Sequence, residues 1–252
     1  MKYRKLVRNI IIHVFGTLRR CLFWKGGGRI IAFHDIDDID VFYKKMKWLQ
    51  DHYDIVPLEK LLDNPDSKQR QVAITFDDGF ACWYWNAVPV LEELNIPAVF
   101  FVCSGAVNDA GNKNFIRKNL HRTKDLQPIS IDQLRYISKN ALFEIGGHTL
   151  SHIDLGLNLS SERLTIEINE DMRRIERWTG VKPRWFAYPY GRYKNISYSS
   201  LEYLRDSSYK GAFTIQPGFV VSGHDKFLVH RDSLNIHDTN RLWKDWLSGG
   251  YW

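Results

Sequence analysis

The chain has 252 residues, 44% of them apolar and 25% charged, which is enough apolar material for a sizeable core and excludes a disordered or fibrous chain. Its formal charge of +6 sits at one end: residues 1–25 hold seven of the 35 basic residues and none of the 29 acidic ones, leaving 26–252 at −1. A nucleic-acid binder spreads basic residues over a folded face, so nucleic acid is not an expected partner, and Cys21, Cys82 and Cys103, with no C-x-x-C spacing, indicate neither a disulfide framework nor a thiolate zinc site.

Residues 6–24 read LVRNIIIHVFGTLRRCLFW. Arg8, Asn9, His13 and the Arg19-Arg20 pair interrupt the apolar run, which falls short of the ~20 residues of a spanning helix. No small-residue cleavage site follows Leu18, as a signal peptide would require. Wound as a helix, Val7, Ile10 or Ile11, Val14, Leu18, Cys21 and Leu22 share one stripe. Such a helix suits the surface of an anionic membrane, or else packs on the rest of the protein or acts as an uncleaved signal anchor. A cytoplasmic location, or one on the inner face of the membrane, is the expectation. Gly26-Gly27-Gly28 then separates the basic segment 1–25 from a main domain over 29–252.

Within that domain short apolar runs alternate with helix-like segments. Strands are predicted at Arg29–His34, Val72–Phe76, Ala98–Val102, Leu142–Ile145, Arg184–Tyr188, Gly211–Ile215 and Phe227–Arg231. The clearest helix runs from Ser161 to Trp178, with Leu164, Ile168, Met172, Ile175 and Trp178 on one stripe, Ser160 or Ser161 as N-cap and Gly180 as its stop. About seven strand-plus-crossover units suggest a parallel α/β barrel, whose active site would lie at the carboxyl ends of the strands.

Three of those ends carry chemistry. Val72–Phe76 runs into Asp77-Asp78-Gly79; Asn86 as a helix cap, Pro89 in a first turn and Leu91 and Leu94 on an apolar face make this a strand-to-helix turn rather than a hairpin. One carboxylate there can bind a metal while the other stays free as a base. Leu142–Ile145 is followed by Gly146-Gly147-His148-Thr149-Leu150-Ser151-His152, two imidazoles four apart that would face one ion if the segment takes a helical turn. A histidine pair alone reads more readily as solvated surface, but beside an Asp-Asp pair it reads as a site. One Asp and two His leave coordination positions open for water and substrate, as catalytic zinc sites do. The third end, Arg184-Trp185-Phe186-Ala187-Tyr188-Pro189-Tyr190-Gly191, is by itself only an aromatic-rich turn.

In order and content, TFDDGF at 75–80, IPAVFFV at 96–102, HTLSH at 148–152 and FAYPYG at 186–191 resemble the polysaccharide deacetylases, the NodB-homology or carbohydrate esterase 4 family. The resemblance spans most of 29–232. It implies a distorted (β/α)7-type barrel and metal-dependent removal of acetyl groups from sugars. It also implies Asp77 as general base, Asp78, His148 and His152 as ligands of one divalent ion, and the Tyr190 N–H as part of an oxyanion hole. Zinc is the expected ion, with nickel, cobalt and iron as alternatives. The expected substrate is an acetylated amino sugar in a polysaccharide, oligosaccharide or glycolipid. Hydrolysis of another amide or an O-acetyl ester, or a carbohydrate-binding pseudoenzyme, are the competing readings.

The chain departs from the family at Ala187, where many members have an arginine that orients the base. For the acid that protonates the leaving amine there are two candidates. His230 matches a late Leu-x-His in Leu228-Val229-His230, and His34 resembles the Tyr-His-Asp of the poly-N-acetylglucosamine deacetylase subgroup. Neighbours on a strand point to opposite faces, so only one of His230 and Arg231 enters the site. If Arg231 enters, it supplies the missing guanidinium and His34 is the acid, its protonated form favoured by Asp35, Asp37 and Asp38. Trp83, Tyr190 and Gly191 complete the expected substrate contacts.

Overall fold

The structure is a computed structural model that describes residues 27–67, 69–107, 115, 120 and 126–249. The predicted amphipathic segment 1–25 lies outside them. Six strands stand where apolar runs predict them: β1 (Arg29–Phe33), β3 (Gln71–Asp78), β4 (Ala98–Val102), β5 (Phe143–Gly147), β6 (Trp185–Ala187) and β7 (Gly211–Phe213). Two-residue strands β2 (Asp54–Ile55) and β8 (Asp232–Ser233) join them. All pairings between these strands are parallel, in the order β7-β6-β5-β4-β3-β1-β8 with β2 beside β3.

Parallel neighbours require crossovers. Here they include α1 (Ile39–His52) after β1, α2 (Leu58–Asp63) after β2, α3 (Val88–Glu93) after β3 and α4 (Ile131–Lys139) before β5. Helix α5 comprises Ser161–Leu164, a π-turn at Thr165–Glu170 and Asp171–Thr179, followed by α6 (Tyr198–Arg205) and α7 (Asn240–Leu247). Ser160 caps α5 by accepting from Arg163 N–H, and Gly180 ends it at φ 75°. Leu164, Ile168, Met172 and Ile175 are buried, as the stripe predicts; the π-turn is not legible in that stripe. Asn86 is not a helix cap: it lies inside a second π-turn, Trp83–Ala87, and its Nδ2 donates to the Ile36 carbonyl.

The predicted strand Phe227–Arg231 is not regular. The N–H groups of Phe227 and Leu228 close a turn onto Asp225, and Val229 alone in this run bridges Phe213. The run nevertheless closes the barrel. Val229 N–H bonds to Ala212, Thr214 N–H to Val229 and Arg231 N–H to Gln216, on the β7 side. The next residue, Asp232, pairs with Ile31 of β1.

Strand alternation sorts the core into two faces. Ile31, Phe33, Ile74, Phe76, Phe100 and Val102 pack with Phe42, Met46 and Leu49 of α1, whereas Ile30, Ala73, Val99, Phe101, Ala187, Phe213 and Val229 form a separate cluster inside the barrel. Continuing the second face toward the carboxyl ends reaches His34, Thr75, Asp77, His148 and Arg231. The chemistry-bearing residues therefore share the barrel's mouth.

At the seam, the buried Arg29 Nη2 lies 2.6 Å from Asp232 Oδ1, which also accepts from Trp246 Nε1 at 2.9 Å. Removing one partner of a buried pair strands the other charge. Asp232→Ala is expected to cost about 3–5 kcal/mol in chemical denaturation; a loss like that of an exposed pair, below ~1 kcal/mol, would mean that water solvates Arg29 in the folded state.

Candidate active site

At the end of β3 the backbone leaves the pleat: Asp78 has φ 91° and Gly79 φ 101°. A non-glycine residue rarely adopts such a φ, and here the twist brings two consecutive carboxylates to one mouth. Asp78 Oδ1 lies 3.5 Å from His148 Nε2 and 3.4 Å from His152 Nε2, and all three residues are buried. The segment carrying the histidines is not the helical turn that their spacing suggested. It is an irregular loop in which Thr149 and His152 take φ 63° and 56°.

The donor set fits a divalent ion. His148 Nδ1 lies 2.7 Å from the Ala187 carbonyl, which can only accept, so Nδ1 carries the proton and Nε2 presents a lone pair toward Asp78 in the neutral ring. Two acceptors facing each other across 3.5 Å in a buried place require a cation between them or a proton on the imidazole. One potential ligand atom from each of Asp78, His148 and His152 lies within 4.8 Å of the others. Burial alone would lower the pKa of His148, but the flanking Asp78 and Asp77 raise it above the ordinary imidazole value. A proton and a metal ion thus compete for the same nitrogen.

Asp77 is held by Arg231. Nη1 and Nη2 reach its two carboxylate oxygens at 2.7 Å each, while Nη1 also donates to Thr75 Oγ1 and Nε to the Thr214 carbonyl. Burial pushes the Asp77 carboxyl up, but the guanidinium and His148 outweigh it and hold the carboxyl below its usual value. Arg231 therefore supplies Asp77 with a guanidinium that Ala187 cannot offer. His230 turns to the other side of the segment, where Tyr193 Oη lies 2.9 Å from its Nε2 and the His224 ring stacks edge-on.

His34 follows β1, half-buried, close enough for its charge to act on Asp77, Asp78 and His152. It borders a cavity of about 400 Å³ shared with Asp35, Asp37, Asn235, His237 and Trp246. Tyr190, at φ 59°, sets its partly exposed ring 4.8 Å from the His152 ring, with Gly191 next at φ 56°. Trp83 is not a substrate contact. Its side chain is fully buried among Phe76 and Phe100, and its Nε1 donates to the His34 carbonyl, so it supports the loop under His34.

The polysaccharide deacetylase family pattern matches residues 64–210, more than half of the chain. The chain belongs to the polysaccharide deacetylase family. A poly-β-1,6-N-acetyl-D-glucosamine N-deacetylase of Staphylococcus aureus (strain MRSA252) is 26% identical over 216 residues, covering 81% of this chain and 70% of that protein. A Bacillus subtilis protein, YxkH, is 25% identical over 195 residues. The chain spans 62% of YxkH's length, just under two thirds. In fold it is similar to IcaB from Ammonifex degensii, with TM-score 0.71 and 22% identity over 89% of this chain and 98% of that one. A de-N-acetylase from Aggregatibacter actinomycetemcomitans gives TM-score 0.67 at 20% identity, covering 87% of this chain and 99% of that one.

In this member of the family, Thr75, a partner of Arg231, and two buried acids of α5, Glu167 and Asp171, belong to none of the motifs legible in the sequence. The acids leave one trace: a four-residue spacing, each immediately before a member of the apolar stripe, Ile168 and Met172. Zinc-loaded and desalted protein is expected to hold one ion per chain by elemental analysis, with Asp78→Asn and His148→Ala holding far less. Its affinity should fall as the pH drops from about 8 to 6, because protonation of His148, its pKa raised, removes a ligand. An ion at Asp35 and Asp37 instead would overturn the assignment.

Proposed function

We propose that the protein is a metal-dependent hydrolase that removes N-acetyl groups from an N-acetylglucosamine polysaccharide, the substrate class named for its staphylococcal relative. The observation that carries the reading is the juxtaposition of Asp77, clamped by Arg231, with the buried Asp78–His148–His152 group. The chemistry supplied by a bound divalent ion is polarisation of the acetyl carbonyl and a lowered pKa for its water; zinc is our choice, and nickel, cobalt and iron also suit one Asp and two His.

The chain's own residues do the rest. Asp77, kept ionised by Arg231 against the effect of burial, takes the proton of the attacking water. The bidentate guanidinium also fixes the carboxylate's orientation. As the oxygen adds to the acetyl carbon, the Tyr190 N–H donates to the developing oxyanion. His34 gives a proton to the nitrogen as the C–N bond breaks, releasing acetate and the amine. The Tyr190 ring forms an aromatic wall for a sugar face.

The test is acetate release from N-acetylglucosamine oligomers by metal-loaded protein, compared with O-acetylated sugars. General acid catalysis typically contributes ~10²- to 10⁴-fold, so His34→Ala should lower kcat by that order with metal content unchanged. His230→Ala should be mild. The reverse pattern, with metal retained in both, would assign the acid to His230.

We further infer that residues 1–25 hold the protein on anionic membrane, at the cytoplasmic face, because they contain all of the chain's excess positive charge. Full-length protein should sediment with anionic vesicles, and a 26–252 truncation should not while keeping its activity on soluble oligomers. Equal sedimentation would remove this role.

A further inference from the structure

The loop from His148 to His152 has no regular secondary structure, so its buried amides need partners elsewhere. They find them on one helix. Asp171 accepts the His148 N–H on Oδ2 at 3.1 Å and the Ser104 N–H on Oδ1 at 2.9 Å. One turn earlier, Glu167 accepts the Ser151 N–H on Oε2 at 2.9 Å and the Ser151 hydroxyl on Oε1 at 2.6 Å. The Leu150 N–H bonds to the main-chain carbonyl of Glu167 at 2.9 Å.

That last bond exists because α5 is not a uniform α-helix. Four residues on, Asp171 N–H would close onto the Glu167 carbonyl in a regular helix. Across the π-turn Thr165–Glu170 it bonds to Ile168 instead, which leaves the Glu167 carbonyl for the loop. Single π-turns inside helices recur at functional sites for this kind of reason. Both side chains are fully buried, and Arg163 covers Glu167 from the solvent side at 2.6 Å.

We propose that Glu167 and Asp171 are positioning residues that preorganise the His148–His152 loop for its cation, Asp171 at the His148 end and Glu167 at the Ser151 end. Between them Thr149, and just beyond them His152, are held at left-handed φ values that a free loop would leave. Asp171 also ties this loop to the one after β4 through Ser104, so one carboxylate fixes both segments. The inference rests on Asp78, His148 and His152 being the ligands, and concerns neither the substrate nor the acid.

The probes are Zn(II) and Co(II), titrated against a competing chelator into the whole chain, with the visible absorption of the Co(II) form as a signature of ligand geometry. Asp171→Asn turns one acceptor into an amide that faces a backbone N–H, and Glu167→Gln turns one into an amide that faces either the Ser151 N–H or the Arg163 guanidinium. Each is expected to weaken metal binding about 10- to 100-fold and to change the Co(II) spectrum. Ser151→Ala, which keeps the amide bond and loses the hydroxyl, should give a smaller loss in the same direction and covers the case in which an acidic variant does not fold. Leu164→Ala, a cavity in the same helix that touches neither carboxylate, is the control for general destabilisation.

Wild-type affinity and spectrum in the Asp171→Asn, Glu167→Gln and Ser151→Ala variants, or an equal loss in Leu164→Ala, would overturn the proposal. If wild-type protein binds neither metal, the ligand assignment fails and takes this inference with it. Metal binding by wild-type protein with unaffected variants defeats the positioning role alone.

Discussion

The barrel closes through one irregular segment, and two adjacent charges in that segment determine what closure accomplishes. Arg231 turns inward and grips Asp77 of β3, while Asp232 grips Arg29 of β1. All four residues are buried. A buried charge without its partner is costly, so the segment 226–233 has one register in which both pairs form, and in that register its amides also bond to β7 and β1. Closure of the sheet and assembly of the mouth are therefore one event. This also explains how a two-residue strand, β8, suffices as the last element of the sheet.

The same economy of buried charge organises the site. Three acidic residues near the metal site, Asp77, Asp78 and Asp171, are fully enclosed, and each has a different compensation. Asp77 has a guanidinium. Asp78 faces two imidazole nitrogens, and contact with them holds its carboxyl well below the usual range despite burial. Asp171 accepts the main-chain N–H groups of Ser104 and His148, but burial outweighs these bonds and pushes it up to about 7. Their surroundings differ accordingly: a carboxylate paired with arginine is fixed and ionised, one faces two imidazole nitrogens that could share an ion with it, and one accepts backbone amides.

The histidine pair shows why spacing and conformation are separate statements. Four-residue spacing suggests a helical turn, because that is the regular structure in which such residues align. The chain reaches the same convergence through left-handed residues at Thr149 and His152, held by bonds to α5. The convergence of Asp78, His148 and His152 was legible because Asp-Asp and His-x-x-x-His stand at strand ends; the loop's true shape was not, because its partners come from a helix more than a dozen residues away.

Alternation explains most of what was readable. Apolar runs placed six strands, and the two-residue period made His230 and Arg231 exclusive alternatives. Composition located the excess charge in the first 25 residues. What only the tertiary structure decided was which partner each polar group found: that Arg231 meets Asp77, that Trp83 is core beneath His34 rather than a sugar platform, and that Glu167 and Asp171 accept the amides of the 148–152 loop. The reason is physical. Periodicity is a local property of the chain, set by backbone geometry, whereas the pairing of a buried charge or amide depends on elements brought together from distant sequence, and its energy exists only once water is excluded from between them.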